Sequence, residues 1–348
     1  MRNISALVLC AVLACCLTLT SCGKNNSEQA GDGATKIVVG FSQIGSESAW
    51  RTANSRSIKE EAAKRGVDLR FSDAQQQQEN QIRALRSFIQ QKVDIIALAP
   101  IVTTGWKEVM EEIRDAGIPL ILTDRAVNVK DQSLYVTLLS PDTVEEGRRA
   151  ARWFIENTTG ELRVFELLGT QGSSPAIDRE KGFKEAIADH PRIKIIKSQA
   201  GDFTGPKGKE VMQAFLKTPQ GKELNAVYAH NDNMAIGAIQ AIREAGLKPG
   251  EDIKIVSIDA VKAAFEALVA GELNCTVECN PLLGPQLFDA IEAVLAARKL
   301  QQLGAKHKLV KPEILEALKG EIFVKRIMVE EGVFDQAAAK KLIKTRKY

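Results

Sequence analysis

Aromatic residues make up 5% of the 348-residue chain, and histidine occurs three times. Of six cysteines, four fall within the first 22 residues, leaving Cys275 and Cys279 for the rest of the chain. These two lie on a run with β-branched Thr276 and Val277, which favours a strand. Four residues along a strand span roughly 13 Å, beyond the roughly 7 Å between Cα atoms that a disulfide tolerates. Free thiols are expected. His190, His230 and His307 have no ligand-like spacing around that pair, so neither a zinc site nor any other metal or cofactor is predicted. The sequence also lacks a phosphate loop, a nucleophile elbow and a metal-ligating cluster, which argues against an enzyme.

Charge of one sign is lacking too. The chain carries 47 basic and 44 acidic residues. Removing Arg2 with the leader leaves 46 against 44, a net +2, which argues against a nucleic-acid surface. Beyond residue 22 no apolar run approaches the roughly 20 residues of a membrane-spanning helix.

What is present begins with residues 1–21: Arg2, an apolar stretch from Ile4 to Leu19, and small residues ahead of Cys22, the build of an export signal. Leu19-Thr20-Ser21-Cys22 resembles the bacterial lipobox, which implies cleavage before Cys22, lipidation of its sulfur, and an extracytoplasmic, membrane-anchored lipoprotein in the periplasm or at the cell surface. Residues 22–35 are polar and glycine-bearing, and read as a flexible tether. The body from Lys36 onward exceeds what one hydrophobic core usually supports and predicts two domains.

Strand and helix patterns alternate along that body. Apolar runs predict strands over 37–41, 67–71, 93–99 and 118–123, then over 163–168, 193–198, 225–229 and 253–258. Helical patterns fall between them over 48–66, 75–91 and 106–117, then over 143–157, 176–190, 207–216 and 233–246. Strands apolar on both faces and separated by helices indicate parallel sheets covered on both sides, here two Rossmann-like α/β lobes.

Ligands of parallel α/β sheets bind beyond the carboxyl ends of the strands, where loops converge. Those ends carry Asp124 and Arg125 after the fourth strand, Asn231 and Asp232 after residue 229, and Asp259 after residue 258. The first strand runs into a polar loop with Gln43, Glu47, Trp50 and Arg51, while Arg179 lies near the start of a helix and Glu278 ends the cysteine strand. Carboxylates accept pairs of hydroxyl protons, Arg offers a planar fork of donors, and Asn supplies one of each. Trp50 adds a flat apolar face. The set suits adjacent hydroxyls on a sugar ring.

Other residues read as structural. Asp142 and Asp232 suit helix N-caps, Trp106 suits packing at a helix start, Trp153 suits a core, and 169–174 suits a strand-to-helix turn rather than a phosphate loop.

Several segments carry a family likeness: Val39-Gly40-Phe41-Ser42-Gln43, Gln78-Glu79-Asn80-Gln81-Ile82, Ala176-Ile177-Asp178-Arg179, Ser198 through Thr204, and Tyr228-Ala229-His230-Asn231-Asp232. The chain resembles the sugar-binding proteins of ABC importers in the ribose and galactose group, with the periplasmic binding protein type 1 fold, and above all their galactofuranose-binding members. The resemblance implies an N-terminal lobe of 36–139 plus 280–320 and a C-terminal lobe of 140–279 plus 321–348. Three crossovers near 138–142, 277–281 and 321–325 would join them. It further implies that Asp124, Arg125, Arg179, Asn231 and Asp259 bond the hydroxyls of a monosaccharide. Glu47, Trp50 and Arg51 would close over the ring, Phe203 would cover its other face, and Glu278 would act at the hinge. A monomer that captures galactofuranose or a related galactose form by hinge closure, for delivery to an ABC permease, is the function implied. The alternative is a sensing subunit for a chemoreceptor or sensor kinase. Repressors share the fold, but the leader stands where a DNA-binding head would be. The sequence departs from that family in lacking a cysteine pair in the second lobe, in Gly205-Pro206 beside Phe203, and in Ala260, where glycine is usual.

Overall fold

The computed structural model describes residues 36–307, 326–328 and 331–348; Cys22 and the tether lie outside them. In the first half, β1 (Val38–Gln43), α1 (Ala49–Lys64), β2 (Asp68–Asp73), α2 (Gln78–Gln90), β3 (Ile95–Leu98), α3 (Lys107–Asp115), β4 (Leu120–Thr123) and β5 (Thr137–Ser140) follow one another. The second half repeats the alternation with α4 (Thr143–Asn157), β6 (Leu162–Leu168), α5 (Ser174–Ile187), β7 (Ile193–Ala200), α6 (Gly205–Leu216), β8 (Ala226–Ala229), α7 (Asp232–Glu244), β9 (Lys254–Asp259), α8 (Lys262–Ala270) and β10 (Cys275–Glu278). The remaining described elements are α9 (Gly284–His307), β11 (Arg326–Met328), β12 (Val333–Asp335) and α10 (Gln336–Leu342).

Two six-stranded sheets result, ordered β11-β5-β4-β3-β1-β2 and β12-β10-β9-β8-β6-β7. Every described pairing is parallel except that of β12 with β10. The strand order reverses between β1 and β3 in one sheet and between β6 and β8 in the other, the crevices where such sheets bind ligands. Central strands β3, β4, β5 and β8 are buried along their whole length, as helices on both faces require.

Aromatic stacking fixes the second lobe's core: Phe165 on Phe215 at 4.1 Å between centroids and Phe183 on Tyr228 at 4.2 Å. Glycine sets the approach of α4 to α5. A Cβ on Gly147 would lie 2.3 Å from the Arg179 carbonyl oxygen, and one on Gly182 would lie 1.9 Å from that of Val144. No side chain fits there, so the two helices touch backbone to backbone and Arg179 is held against α4.

The first crossing between lobes runs from β5 into α4, whose N-cap is Asp142, accepting from the Glu145 amide at 3.0 Å. Part of the span expected as this crossover, Leu138 to Ser140, is itself strand. The second crossing links β10 to α9, which packs on α1 with Gly284 N donating to Ser57 Oγ at 3.1 Å. The third requires a correction. Residues 321–325 lie outside the described residues, and Arg326–Met328 pair with β5 in the first sheet, so the chain crosses between Met328 and Val333. A three-residue edge strand is too short to leave a periodic signal.

Trp106 is buried at the start of α3 and donates its indole N–H to the Val102 carbonyl at 2.6 Å. Trp153 is only half-buried; its neighbour Phe154 occupies the core instead. Cys275 and Cys279 are free thiols. Among the described residues no helix is long and apolar enough to cross a membrane.

Candidate functional site

Between the lobes lies a cleft lined by Glu47, Ser48, Trp50, Arg51, Asp124, Arg125, Pro175, Arg179, Phe203, Asn231, Asp259 and Cys279. Nine of the eleven candidates from sequence therefore meet at one place. Gln43 and Glu278 do not.

On the first lobe, Ser48 caps α1 by accepting from the Arg51 amide at 3.1 Å, which starts the helix with Trp50 and Arg51 in its first turn. The Arg51 guanidinium donates to Asp124 Oδ2 at 2.6 Å, Glu47 Oε1 at 3.2 Å and Gln43 Oε1 at 3.2 Å. Burial works against its charge, but Asp124 and Glu47 outweigh it and hold the pKa above the ordinary value. Gln43 is fully buried, with its amide nitrogen on Asn54 Oδ1 at 2.9 Å, so it positions Arg51 and does not face the cleft. Arg125 donates Nη1 to the Ile101 carbonyl at 2.9 Å. Its pKa falls to about 10, through burial first and then Arg51 nearby, which leaves it charged at neutral pH. Trp50 reaches the second crossing, its indole N–H donating to the Cys279 carbonyl at 2.6 Å.

On the second lobe, Arg179 donates Nε to Glu146 Oε2 at 2.7 Å and Nη1 to the His230 carbonyl at 2.5 Å, with Nη2 at 3.7 Å from Asp259 Oδ1. Burial opposes its charge, yet Glu146 raises the pKa well above the usual guanidinium value. Asn231 is the N-cap of α7, accepting from Met234 N at 3.0 Å while its amide holds the Phe203 carbonyl at 3.0 Å. Asp232 is therefore not the cap. It is buried one residue further on, accepting from Thr276 Oγ1 and Val261 N at 2.8 Å each and from Ser257 Oγ, which braces the loop behind Asp259. Burial pushes the Asp259 carboxyl well up, against the pull of Arg179.

Three lining residues take left-handed backbone angles: Asp124 with φ 65°, Phe203 with φ 61° and Asp259 with φ 120°. For residues other than glycine each costs on the order of 1–3 kcal/mol and persists where surroundings enforce it. Ala260, with φ 59°, shows why glycine would suit that position. The centroid of the Phe203 ring lies 5.2 Å from the Arg125 guanidinium carbon and 5.9 Å from that of Arg179, so two cations from different lobes flank one aromatic ring.

Glu278 sits away from the cleft. Its Oε2 accepts from Gly332 N at 3.0 Å and its Oε1 from Tyr348 Oη at 2.7 Å, with Arg346 Nη1 at 2.8 Å. It ties the third crossing to the C-terminal residues. Reasoning from sequence missed Ser48, Pro175 and Cys279 in the lining; Cys279 follows β10 directly, the same strand-end signal that singled out the others.

The lining presents charges of both signs, and two of its buried polar atoms, Glu47 Oε2 and Arg125 Nε, have no hydrogen-bond partner, although Arg125 Nε lies 3.7 Å from Asp124 Oδ2. A small ligand rich in both donors and acceptors would satisfy them. The model of the periplasmic binding protein domain matches residues 39–299. The chain belongs to that family. It is 53% identical over 261 residues to the galactofuranose-binding protein YtfQ of Escherichia coli, spanning 74% of this chain and 82% of that protein. The crystal structure of a galactofuranose-binding protein superposes with a TM-score of 0.79 at 45% identity, covering 89% of this chain and 98% of the other. The binding component of the arabinose ABC transporter from Shewanella sp. ANA-3, bound to α- and β-L-arabinofuranose, superposes at 0.80 with 48% identity, covering 89% and 95%. These relatives are solute-binding proteins, not enzymes.

Proposed function

We propose that this protein captures a monosaccharide in a five-membered ring form, galactofuranose or a related galactose form, in the cleft between its lobes and delivers it to an ABC permease. The observation that carries the reading is the division of the lining between lobes: Glu47, Trp50, Arg51, Asp124 and Arg125 on one side, Arg179, Phe203, Asn231 and Asp259 on the other. A sugar touching both halves favours the closed state over the open one, which is hinge closure. Each charge-assisted hydrogen bond contributes on the order of 1.5–3 kcal/mol, so a few offset binding costs and still leave the roughly 8 kcal/mol of micromolar affinity.

The furanose assignment is supported by the ligands of the similar proteins, galactofuranose and L-arabinofuranose. In this reading Arg125 and Arg179 bond hydroxyls on opposite edges of the ring while Phe203 lies against its apolar face. Glu47 Oε2 and Arg125 Nε find their missing partners there. Lipidation of Cys22 and the tether to residue 35 would hold the protein at a membrane within reach of its permease.

A thermal-shift panel of hexoses and pentoses tests the binding reading, since a ligand of the folded state raises apparent stability by mass action. A galactose or arabinose form should raise melting; no shift by any sugar at millimolar concentration would sink it. Deletion of the gene, with sugar uptake and the sugar response measured together, separates delivery from sensing.

A further inference from the structure

The three crossings converge on one buried cluster. Glu146 lies in α4 behind the first crossing, Cys279 on the second, and Glu331 on the third. Their oxygen and sulfur atoms lie within 4.8 Å of one another. Glu146 is fully buried and gives one carboxylate oxygen to Arg179, while its other oxygen, Oε1, has no partner. Glu331 Oε1 is likewise buried and unpartnered, its side chain within hydrogen-bonding reach of Glu146 and its carbonyl fixed by Arg149 Nη1 at 2.8 Å.

Two ionised carboxylates facing each other away from water would repel, and neither could donate. A bridging cation would meet the Arg179 guanidinium already seated on Glu146 and a thiol whose burial pushes its pKa well up. A proton has neither difficulty. We propose that Glu331 is un-ionised and donates its proton to Glu146 Oε1, an acid–carboxylate pair that ties the first crossing to the third and holds Arg179 in its cleft-facing pose. The proposal rests on Arg179 being a sugar-binding residue. Glu331 is then a positioning residue, acting on the ligand through Glu146 and Arg179.

The groups facing the pair act in opposite directions, with the upward push the larger. Burial first, then the charge of Glu146, push the Glu331 carboxyl up to about 10, while Arg179 and the Asn280 backbone N–H pull it down by less. Asp259 lies across Arg179 at 3.7 Å and Cys279 is a neutral thiol. Because the folded value lies above the ordinary 4.5, the stability from this proton is complete below pH 4.5 and is lost progressively as pH rises toward about 10.

The test compares wild type with Glu331→Gln and Glu331→Ala. Glutamine keeps a donor for Glu146 with no proton to lose; alanine leaves Glu146 Oε1 bare. Between pH 5 and 9 the melting temperature of Glu331→Gln, measured without sugar, should decline less than that of wild type. An equal decline overturns the shared proton. With D-galactose as the probe, Glu331→Ala should bind on the order of tenfold more weakly and Glu331→Gln near wild type; equal weakening by both overturns the positioning role. The infrared carbonyl band of an un-ionised carboxyl, present in wild type at pH 7 and missing in Glu331→Gln, reads the proton directly even if alanine fails to fold. Micromolar zinc that raises wild-type melting but not that of Cys279→Ser assigns the cluster to a metal and overturns the pair. If wild type binds no sugar of the hexose and pentose panel at any pH while its melting slope behaves as expected, the pair stands and the sugar reading is what fails.

Discussion

Arg51 and Asp124 meet at 2.6 Å across the switch point of the first sheet, one from the first turn of α1 and the other from the end of β4. Both are buried, with side-chain exposures of 3% and 6%, so the pair is desolvated in this structure. Removing one partner strands the other. Asp124→Ala should cost about 3–5 kcal/mol of stability, as broken buried ion pairs do, and abolish sugar binding. Asp124→Asn, which keeps a polar group of the same shape, should cost less stability yet still bind sugar more weakly. Urea unfolding and sugar titration on both variants check this; equal stability of Asp124→Ala and wild type would show the pair to be idle.

Gly169 gives a second prediction, at a position that does not line the cleft. A Cβ there would lie 1.9 Å from the Phe203 ring, so Gly169→Ala must push that ring aside. The ring is flanked by Arg125 and Arg179, and its displacement should weaken sugar binding about tenfold. Titration of Gly169→Ala beside Phe203→Ala decides it: similar losses mean that the glycine acts through the ring.

His230 predicts an acid-side effect. The ring is fully buried, with Nε2 at 3.3 Å from Glu166 Oε1 and Nδ1 unpartnered, and burial lowers its pKa below 6.5 although Glu166 pulls the other way. The unfolded chain then takes up a proton that the folded chain refuses, so this contribution is complete above pH 6.5 and is lost as pH falls below it. His230→Gln should lose less stability than wild type between pH 7 and pH 5.5, measured as the urea midpoint. An identical loss assigns acid sensitivity to other groups. This slope is opposite in sign to that expected of Glu331, so each must be read as a difference between wild type and its own variant.

Most of the fold was legible because buried parallel strands leave continuous apolar runs, and because Asp124, Asn231 and Asp259 each stand at or within two residues of the end of such a strand. What sequence could not resolve was the direction a side chain takes. Gln43 ends β1 just before the loop that carries Glu47, yet it turns inward to hold Arg51. Glu278 ends its strand as Asp259 does, yet it faces the third crossing. Phe203 follows an edge strand whose burial alternates, and no spacing marks its ring; only the family likeness pointed to it. Glu146 reads as one of a pair of solvent charges, Glu145-Glu146, until the buried face of α4 is drawn through Gly147, Ala150, Ala151 and Phe154. That face was in the sequence, but a carboxylate on it looks like an error of phase unless a buried arginine is known to await it.

Both sheets thread their strands in the same order, so the cleft is built from two equivalent switch points facing each other. The linings are not equivalent. One half brings Glu47, Arg51, Asp124 and Arg125; the other brings a single arginine with Phe203, Asn231 and Asp259. A scaffold of matching halves with mismatched walls makes the two faces of a bound ring inequivalent, so a sugar entering backwards meets the wrong charges. Handedness of capture thus resides in a few strand-end residues, and a relative could change its sugar by redecorating one wall while leaving the other wall and all three crossings intact.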